Sequence, residues 1–345
     1  MVDVTIRGAG IFGLSIAWTC ARRSASVQVV DPHGPGSGAS GGIVGALAPH
    51  VPENWNSKKA FQLESLLMAE GFWQEVEATG GVAAGYGRTG RLQPIADQRA
   101  LDLARQRAET ARHLWQGHAT WTIRNVADMG PFAPASATGH VIHDTLSARI
   151  HPRRACAALV AALGVLGVPV VTDAPDRGLV VHATGVDGLT ALSQPGGKTA
   201  GVGVKGQAAL LRFDAGANAP QLFVDALHLI PHSDGTLAIG STSERNYDDA
   251  RSTDALLDEV IERAIAAMPI LHGVSVIERW AGLRPRARSR APMLGHWPGK
   301  RDHFIANGGF KIGFGMAPKV AQVMADLLLE GQDAIPEAFR VEASL

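Results

Sequence analysis

Apolar and polar positions alternate with period two at the start of the chain. Val2, Val4 and Ile6 are separated by Asp3 and Thr5, which predicts a β-strand. Gly8-Ala9-Gly10-Ile11-Phe12-Gly13 follows, and the period then becomes helical through Leu14, Ile16, Ala17, Trp18, Cys20 and Ala21. A second strand-like run, Ser26 to Val30, ends at Asp31. Further along, Ser57 to Thr79 reads as a helix with Phe61, Leu66, Leu67 and Trp73 among its apolar positions. Gln98 to Gln116 reads as another, with Arg99, Asp102, Arg105, Arg107 and Glu109 on a solvated face. Gly90 to Ile95 has the pattern of a strand, and 203–242 alternates as several strands with a turn at Ser233-Asp234-Gly235. The Ala-rich stretch 155–167 is expected to form a buried crossover helix. Asp254 to Met268 and about Pro318 to Glu330 are expected to form amphipathic helices. No internal repeat or low-complexity tract is visible.

Composition narrows the picture. The 345 residues carry 32 Lys and Arg against 32 Asp and Glu, so there is no basic footprint for nucleic acid. A hydrophobic content of 46% is enough to build a core and excludes a disordered chain. Two Cys are too few for a disulfide framework or a Cys-based zinc site. The 13 His show no HExxH spacing, so no metal site is expected, and no GxSxG elbow is present. The longest apolar stretch, Ala155 to Val171, is interrupted by Gly164, Gly167 and Pro169, so no membrane span is expected. The first residues lack a cationic leader pattern, which makes the cytoplasm the expected compartment. The length fits two domains, or one large domain with an insert. Glycine, at 40 residues, clusters at 8–13, 34–45, 196–206 and 308–315, as expected if distant segments approach one large ligand.

The first 31 residues carry specific chemistry. Strand, GxGxxG, helix, strand and acid occur in the order a dinucleotide-binding βαβ unit requires. Gly8 permits the tight turn, Gly10 lets the backbone approach a pyrophosphate, and Gly13 lets the helix pack on the sheet. The helix N-terminus then faces the phosphates, and Asp31 can accept from a ribose hydroxyl. A carboxylate there repels a 2′-phosphate and disfavours NADP, leaving NAD and FAD. The loop Gly34-Pro35-Gly36-Ser37-Gly38-Ala39-Ser40-Gly41-Gly42 suits a second pass across a diphosphate and a flavin ring. Ile43 to Pro49 then returns to an apolar run.

With these motifs, the chain resembles the D-amino acid oxidase superfamily of flavoproteins, and glycine oxidases within it. The matching segments are GAGIFG at 8–13, the acid at 31, GASGGIVGALAP at 38–49, VVHATG at 180–185 and GVKGQ at 203–207. They continue with LHLIPHSDGTLAIGST at 227–242, WAGLRPRARSRAPMLG at 280–295 and IANGGFKIGFGMAPKVAQVMADLLLEG at 305–331. The resemblance implies an α/β fold: a Rossmann-like FAD-binding domain of the D-amino acid oxidase type with an inserted α+β substrate domain built on an antiparallel sheet. The FAD-binding domain would be discontinuous, comprising 1–50, 150–205 and 280–345. Residues 51–149 and 206–279 would form the substrate domain. Gly8, Gly10, Ile11, Phe12 and Gly13 would hold the diphosphate of a non-covalent FAD, and Asp31 its ribose. Ser40 would meet phosphate or ribityl oxygens, with Gly41 and Gly42 beside the isoalloxazine. Val170 would meet the adenine through its backbone, and Thr184 and Gly185 would end a sheet strand against the cofactor. Gly308, Gly309, Phe310, Lys311, Ile312 and Gly313 would wrap the pyrimidine side of the ring, with the last helix aimed at it.

The resemblance also implies oxidation of a C–N bond in an amino acid or small amine by hydride transfer to the flavin, with dioxygen or another electron acceptor closing the cycle. Arg284 is the expected carboxylate clamp, because a buried carboxylate calls for a guanidinium; a structural Arg paired to Glu278 or Asp302 is the other reading. Lys311, His228 and His50 are further candidates for contact with substrate, each with a plain packing or solvated alternative. Arg286, Arg288 and Arg290 stand where the family commonly has Thr and then Asp-Gly. They read either as recognition of a more acidic or larger substrate or as a solvated basic loop. The absence of Cys from that segment argues against covalent flavin attachment. Two other functions remain open at this level: oxidation of a modified tRNA wobble uridine, against which the neutral charge speaks, and a non-catalytic flavin-binding regulator. Homo-oligomerisation is also open.

Overall fold

The computed structural model describes residues 2–193 and 198–345, so Gly196 and Gly197 of the third glycine cluster lie outside the described residues. The chain opens with β1 (Val4–Arg7), α1 (Ile11–Arg22) and β2 (Val27–Val30). Then come β3 (Ala46–Leu47), α2 (Ser57–Gly80), β4 (Arg91–Pro94), α3 (Gln98–Leu114), β5 (Trp121–Asn125), β6 (His140–Asp144) and β7 (Ala148–Arg149). Next are α4 (Pro152–Val165), β8 (Val170–Val171), β9 (Leu179–His182) and α5 (Gly185–Leu192). β10 (Gly201–Leu211), β11 (Gln221–Val224), β12 (Leu227–Pro231), β13 (Leu237–Gly240), α6 (Ala255–Ala267) and β14 (Val276–Ala287) follow. β15 (Met293–His296), β16 (His303–Asn307) and α7 (Gly313–Glu330) complete the framework. Side-chain caps set several helix starts. Asn56, Asp97 and Asp254 accept from the N–H groups of Lys59, Ala100 and Leu256 and so satisfy orphan donors of α2, α3 and α6.

Two sheets divide the work. The first has the order β15-β16-β9-β1-β2-β8 and is parallel except for β15, which runs antiparallel to β16. All four residues of β2 are buried, as a parallel sheet covered on both faces requires. Helices α1, α2, α4 and α7 pack with this sheet around one apolar core that includes Ile6, Leu14, Trp18, Trp73, Leu159 and Met324. Arg7, an unusual residue at the end of a buried strand, donates to Asp176 Oδ1 at 2.7 Å and to the Ala174 carbonyl at 2.9 Å.

The second sheet has the order β14-β10-β13-β12-β11-β4-β6-β5 and is antiparallel except for the β11–β4 pair. Strand alternation gives it two different faces. One face is apolar: Ala209, Leu211, Leu222, Leu227, Leu229, Leu237 and Ile239 pack against Leu257, Val260 and Ala264 of α6. On the other face the register aligns Trp280, Ala208, Gly240, His228 and Phe223 across β14, β10, β13, β12 and β11. Ile43, Val44 and Ala46, just after the glycine-rich loop, pack on this face with Ala208, Ile230 and Trp280. The loop thereby joins the two sheets.

Two expectations are corrected. α7 begins at Gly313, ahead of the expected start at about Pro318, which lies inside the helix. Thr184 and Gly185 do not end a strand: β9 stops at His182, and Thr184 precedes Gly185, the first residue of α5. β10 and β14 pair with each other over their length, so residues 201–205 and 280–287 share the second sheet with the rest of these two strands.

A methyl group at Gly13 would lie 1.9 Å from the Gly8 carbonyl oxygen, so α1 touches the β1 turn backbone to backbone. Gly13→Ala is expected to lower unfolding free energy by ~1–3 kcal/mol, the usual cost of overpacking, read as a lower urea midpoint. An unchanged midpoint would contradict this contact.

Candidate active site

The turn after β1 is closed by backbone approach. Gly8 sits at φ +104°, where a Cβ would also meet the Ala183 carbonyl at 2.4 Å. The loop after β2 folds back onto this turn: the Gly36 N–H donates to the Ala9 carbonyl at 2.9 Å. Asp31 accepts from the Ala9 N–H at 2.8 Å through Oδ2 and from the His33 N–H at 2.9 Å through Oδ1. Ser40 Oγ accepts from the Ile11 N–H at 2.9 Å. A Cβ on Gly10 would meet only the Ser40 side chain, with nothing else within 4 Å, so the helix start is open in front of the backbone.

A second helix start faces the same region. A Cβ on Gly309 would contact the Phe12 ring at 3.0 Å, and one on Gly313 would lie 3.5 Å from Ile11. The first turns of α1 and α7 contain no acidic residue, and neither Gly10 nor Ile312 supplies a capping side chain. The first N–H groups of a helix have no intrahelical partner and carry partial positive charge. Two such ends, brought together without an acid, fit an anionic dinucleotide such as FAD.

The remaining cofactor candidates border this region. β8 is the edge strand of the first sheet. Pro169 and Val171 direct their carbonyls to Val29 and Asp31 N–H groups, so the intervening Val170 carbonyl points to the open edge. Asn307 donates from Nδ2 to the Gly185 carbonyl at 2.7 Å, which ties the start of α5 to the end of β16. Gly41 offers its carbonyl to Arg153 Nε at 2.8 Å, and Gly42 lies against Trp280, whose ring a Cβ would meet at 3.5 Å. Ile312 donates its N–H to the Gly309 carbonyl at 2.9 Å, which tightens the loop ahead of α7. A cleft of about 490 Å³ is lined by Gly36, Ser37, Gly41, Arg153, Cys156 and Trp280, among others.

Arg284 is buried on β14, opposite Val204. Its guanidinium lies across Gly206, where a Cβ would come within 2.3 Å of it. It donates to Ser241 Oγ at 2.7 Å and to the Thr242 and Lys205 carbonyls at 2.6 and 3.2 Å, while Nε has no partner. Neither acid considered from sequence pairs with it: Glu278 binds Arg153 at 2.6 Å and Asp302 binds Arg301 at 3.6 Å. Burial lowers the Arg284 pKa to about 10, with Glu244 opposing that shift. Phe310, at φ +44°, donates its N–H to the Pro285 carbonyl at 3.0 Å and so holds the Gly308–Gly313 loop against β14.

Lys311 Nζ stands 5.8 Å from the Phe310 ring centre, on the same ring that Arg284 approaches at 5.4 Å. The side chain keeps access to solvent. Its pKa is nevertheless drawn down to about 8, first by the desolvating protein around it and then by Arg284 and Arg286. His228 lies on β12 with its ring 4.7 Å from Phe223 and its Nδ1 unpartnered. Burial, then Arg91 and Lys311, push its pKa down to about 3, so the ring is neutral at pH 7. His50 is not joined to this group. Its Nδ1 pairs with Gln62 Oε1, its N–H donates to the same oxygen at 2.7 Å, and burial lowers its pKa.

Two features were missed from sequence. Arg91 and Asp144 form a buried ion pair at 2.9 Å, with Arg91 over Phe223; the partners are 53 positions apart and carry no local signal. Arg286 joins Arg284 at the Phe310 ring, at 5.5 Å. The spacing of two along an extended segment was the available signal for that pairing. Among the described residues no cluster of His, Cys, Asp and Glu could hold a metal ion, and no helix is long and apolar enough to cross a membrane.

Known proteins share this fold. A glycine oxidase from Pseudomonas putida is 27% identical over 97% of this chain and 97% of its own length. The glycine oxidase structure from Geobacillus kaustophilus superposes with a TM-score of 0.86 at 22% identity, covering 98% of each chain. That of iminodiacetate oxidase from Chelativorans sp. BNC1 gives 0.87 at 22% identity over the same 98% of each chain. Residues 3–327 match the profile of the DAO family, described as FAD dependent oxidoreductase, and the chain therefore belongs to that family of FAD-dependent oxidoreductases.

Proposed function

We propose that this protein is an amino acid or amine oxidase of the glycine oxidase type, binding FAD non-covalently and oxidising the C–N bond of a small carboxylate-bearing amine. The observation that carries this reading is a buried Arg with an unsatisfied Nε, set between the second sheet and the loop that opens α7. The full-length similarity to glycine oxidases supports the same reaction class. FAD, when bound, supplies the acceptor for the hydride leaving the substrate carbon.

The protein's own residues bind, orient and tune. Gly10, Ile11, Phe12, Gly13 and Ser40 hold the diphosphate, Asp31 the ribose, and the open Val170 carbonyl the adenine. Gly8, Gly41, Gly42, Thr184, Gly185 and Gly308 to Gly313 shape the remaining wall. Arg284 binds the substrate carboxylate. Three of the five N–H donors of its guanidinium are engaged, leaving Nε and one Nη1 hydrogen for an oxygen acceptor. Hydride leaves only a neutral amine readily, and a cationic surrounding favours that form; the Lys311 ammonium already responds in this way. His228 offers a neutral hydrogen-bonding ring and not a base at pH 7. Covalent attachment through Cys is disfavoured because burial pushes both Cys20 and Cys156 up to about 12, keeping them as thiols. We further propose 1–50, 150–205 and 280–345 as the FAD-binding unit and 51–149 and 206–279 as the substrate unit, with β10 and β14 running from one into the other.

Anaerobic addition of glycine, sarcosine, proline, D-amino acids or simple amines to the holoenzyme is expected to bleach the flavin with at least one carboxylate-bearing amine. Bleaching by modified tRNA alone, or by nothing in the panel, would contradict the reading. Arg284→Ala is expected to lower kcat/KM for a carboxylate substrate by about a hundredfold, the scale of a lost buried charged hydrogen bond. An amine without a carboxylate should lose much less, and equal losses would remove Arg284 from carboxylate binding.

Protonated Lys311 attracts an anion and the neutral form does not, so affinity for a carboxylate inhibitor should fall as pH rises through about 8. Titration of the flavin spectrum with (methylthio)acetate from about pH 6.5 to 9.5 brackets that value and measures the slope. Lys311→Met should flatten the profile, and an unchanged slope would exclude Lys311 as its source.

A further inference from the structure

β14 presents alternate side chains to one face, so Arg284 and Arg286 point the same way on either side of Pro285. The Phe310 N–H binds the Pro285 carbonyl between them at 3.0 Å. The Phe310 ring therefore receives three cations: Arg284 at 5.4 Å, Arg286 at 5.5 Å and Lys311 Nζ at 5.8 Å from its centre. Arg245 and Arg290 add like charge around Arg286.

No described carboxylate forms an ion pair with any of the three. The neighbouring acids are engaged elsewhere. Glu244 and Asp254 pair with the buried Lys205 at 3.7 and 3.4 Å and accept from Gln207; Asp258 pairs with Arg279 at 2.8 Å. Arg288, two residues further on, turns away and donates to the Leu345 carbonyl, so the basic run does not behave as one surface.

Cation–π contact with one ring attracts each cation only weakly. It does not cancel the mutual repulsion of three like charges. One of them, Arg284, is 8% exposed with a donor lacking any partner. The dinucleotide phosphates are served by different residues, at Gly10 and Ser40. One substrate carboxylate on Arg284 leaves Arg286 and Lys311 facing the same space without an anion.

We propose that the preferred substrate is an amine bearing two carboxylates, one held by Arg284 and the second by Arg286 together with Lys311. This inference rests on the amine-oxidising reading and narrows its substrate class. A monocarboxylate fills the first position only.

The test compares partners that differ by one carboxylate, using the holoenzyme at low ionic strength. Iminodiacetate and sarcosine serve as substrates; thiodiacetate and (methylthio)acetate serve as non-amine ligands read by the flavin spectrum. The dicarboxylate of each pair is expected to win by about tenfold or more, in kcat/KM and in Kd respectively. Arg286→Gln should erode that preference at least about tenfold, Arg286→Lys should restore part of it, and Lys311→Met should reduce it independently. Equal use of both members by the wild type overturns the inference, as does a preference that survives Arg286→Gln and Lys311→Met together. Oxidation of both amines without preference defeats this inference alone. Tighter binding of thiodiacetate with neither amine oxidised would support the two-carboxylate site and sink the amine-oxidising reading.

Discussion

The first turns of α1 and α7 come together at one place; apart from Ser40 Oγ on the Ile11 N–H no side chain caps them, and neither turn contains an acid. Helix ends of this kind are tolerated in an interior only when an anion or water completes them. The close contacts around the site serve that geometry. Gly8 and Gly13 let β1 and α1 approach backbone to backbone, Gly309 lets the last loop reach Phe12, and Asp31 and Ser40 tie the opening turn to the following loop. A family of FAD-dependent oxidoreductases is the identity this geometry fits.

The second sheet answers a different requirement. Its period-two pattern puts leucines on α6 and leaves the opposite face with Trp280, Arg284, Arg286, His228 and Phe223. Apolar burial on one side holds the sheet, so the other side can carry polar groups that contribute little to its stability. Charge is unevenly used there. Arg91 pairs with Asp144 and Lys205 with Glu244 and Asp254, whereas no described carboxylate forms an ion pair with the cations on Phe310, of which Arg284 feels Glu244 only at a distance. Neutral His228 and the depressed Lys311 are consequences of the same positive, partly desolvated surroundings.

Much of this was readable in the sequence because the signals were local. The glycine spacing at 8–13, the acid at 31 and the alternation through 227–231 each depend on neighbours in the chain. The structure adds the local reason for three helix starts, the side-chain caps at Asn56, Asp97 and Asp254. α7 begins five residues before Pro318, where Gly313 meets Ile11, a tertiary contact that the amphipathic pattern does not mark. The Arg91–Asp144 pair and the account of Arg7 through Asp176 required tertiary contact and left no trace in spacing. The grouping of Arg284 with Arg286 did leave one, in their separation by a single residue on a strand. What joined them to Lys311 was the Phe310 N–H bond to Pro285, which only the folded loop provides.

Titrating the flavin-free protein with FAD and with riboflavin tests the central element most directly, since the two share the ring and differ in the diphosphate and adenosine. Convergent helix starts should make FAD bind at one per chain and at least about a thousandfold more tightly than riboflavin, consistent with several charge-assisted contacts. Denaturation should release it intact. Equal affinity for the two, or no uptake of FAD, would contradict a site organised around an anionic dinucleotide.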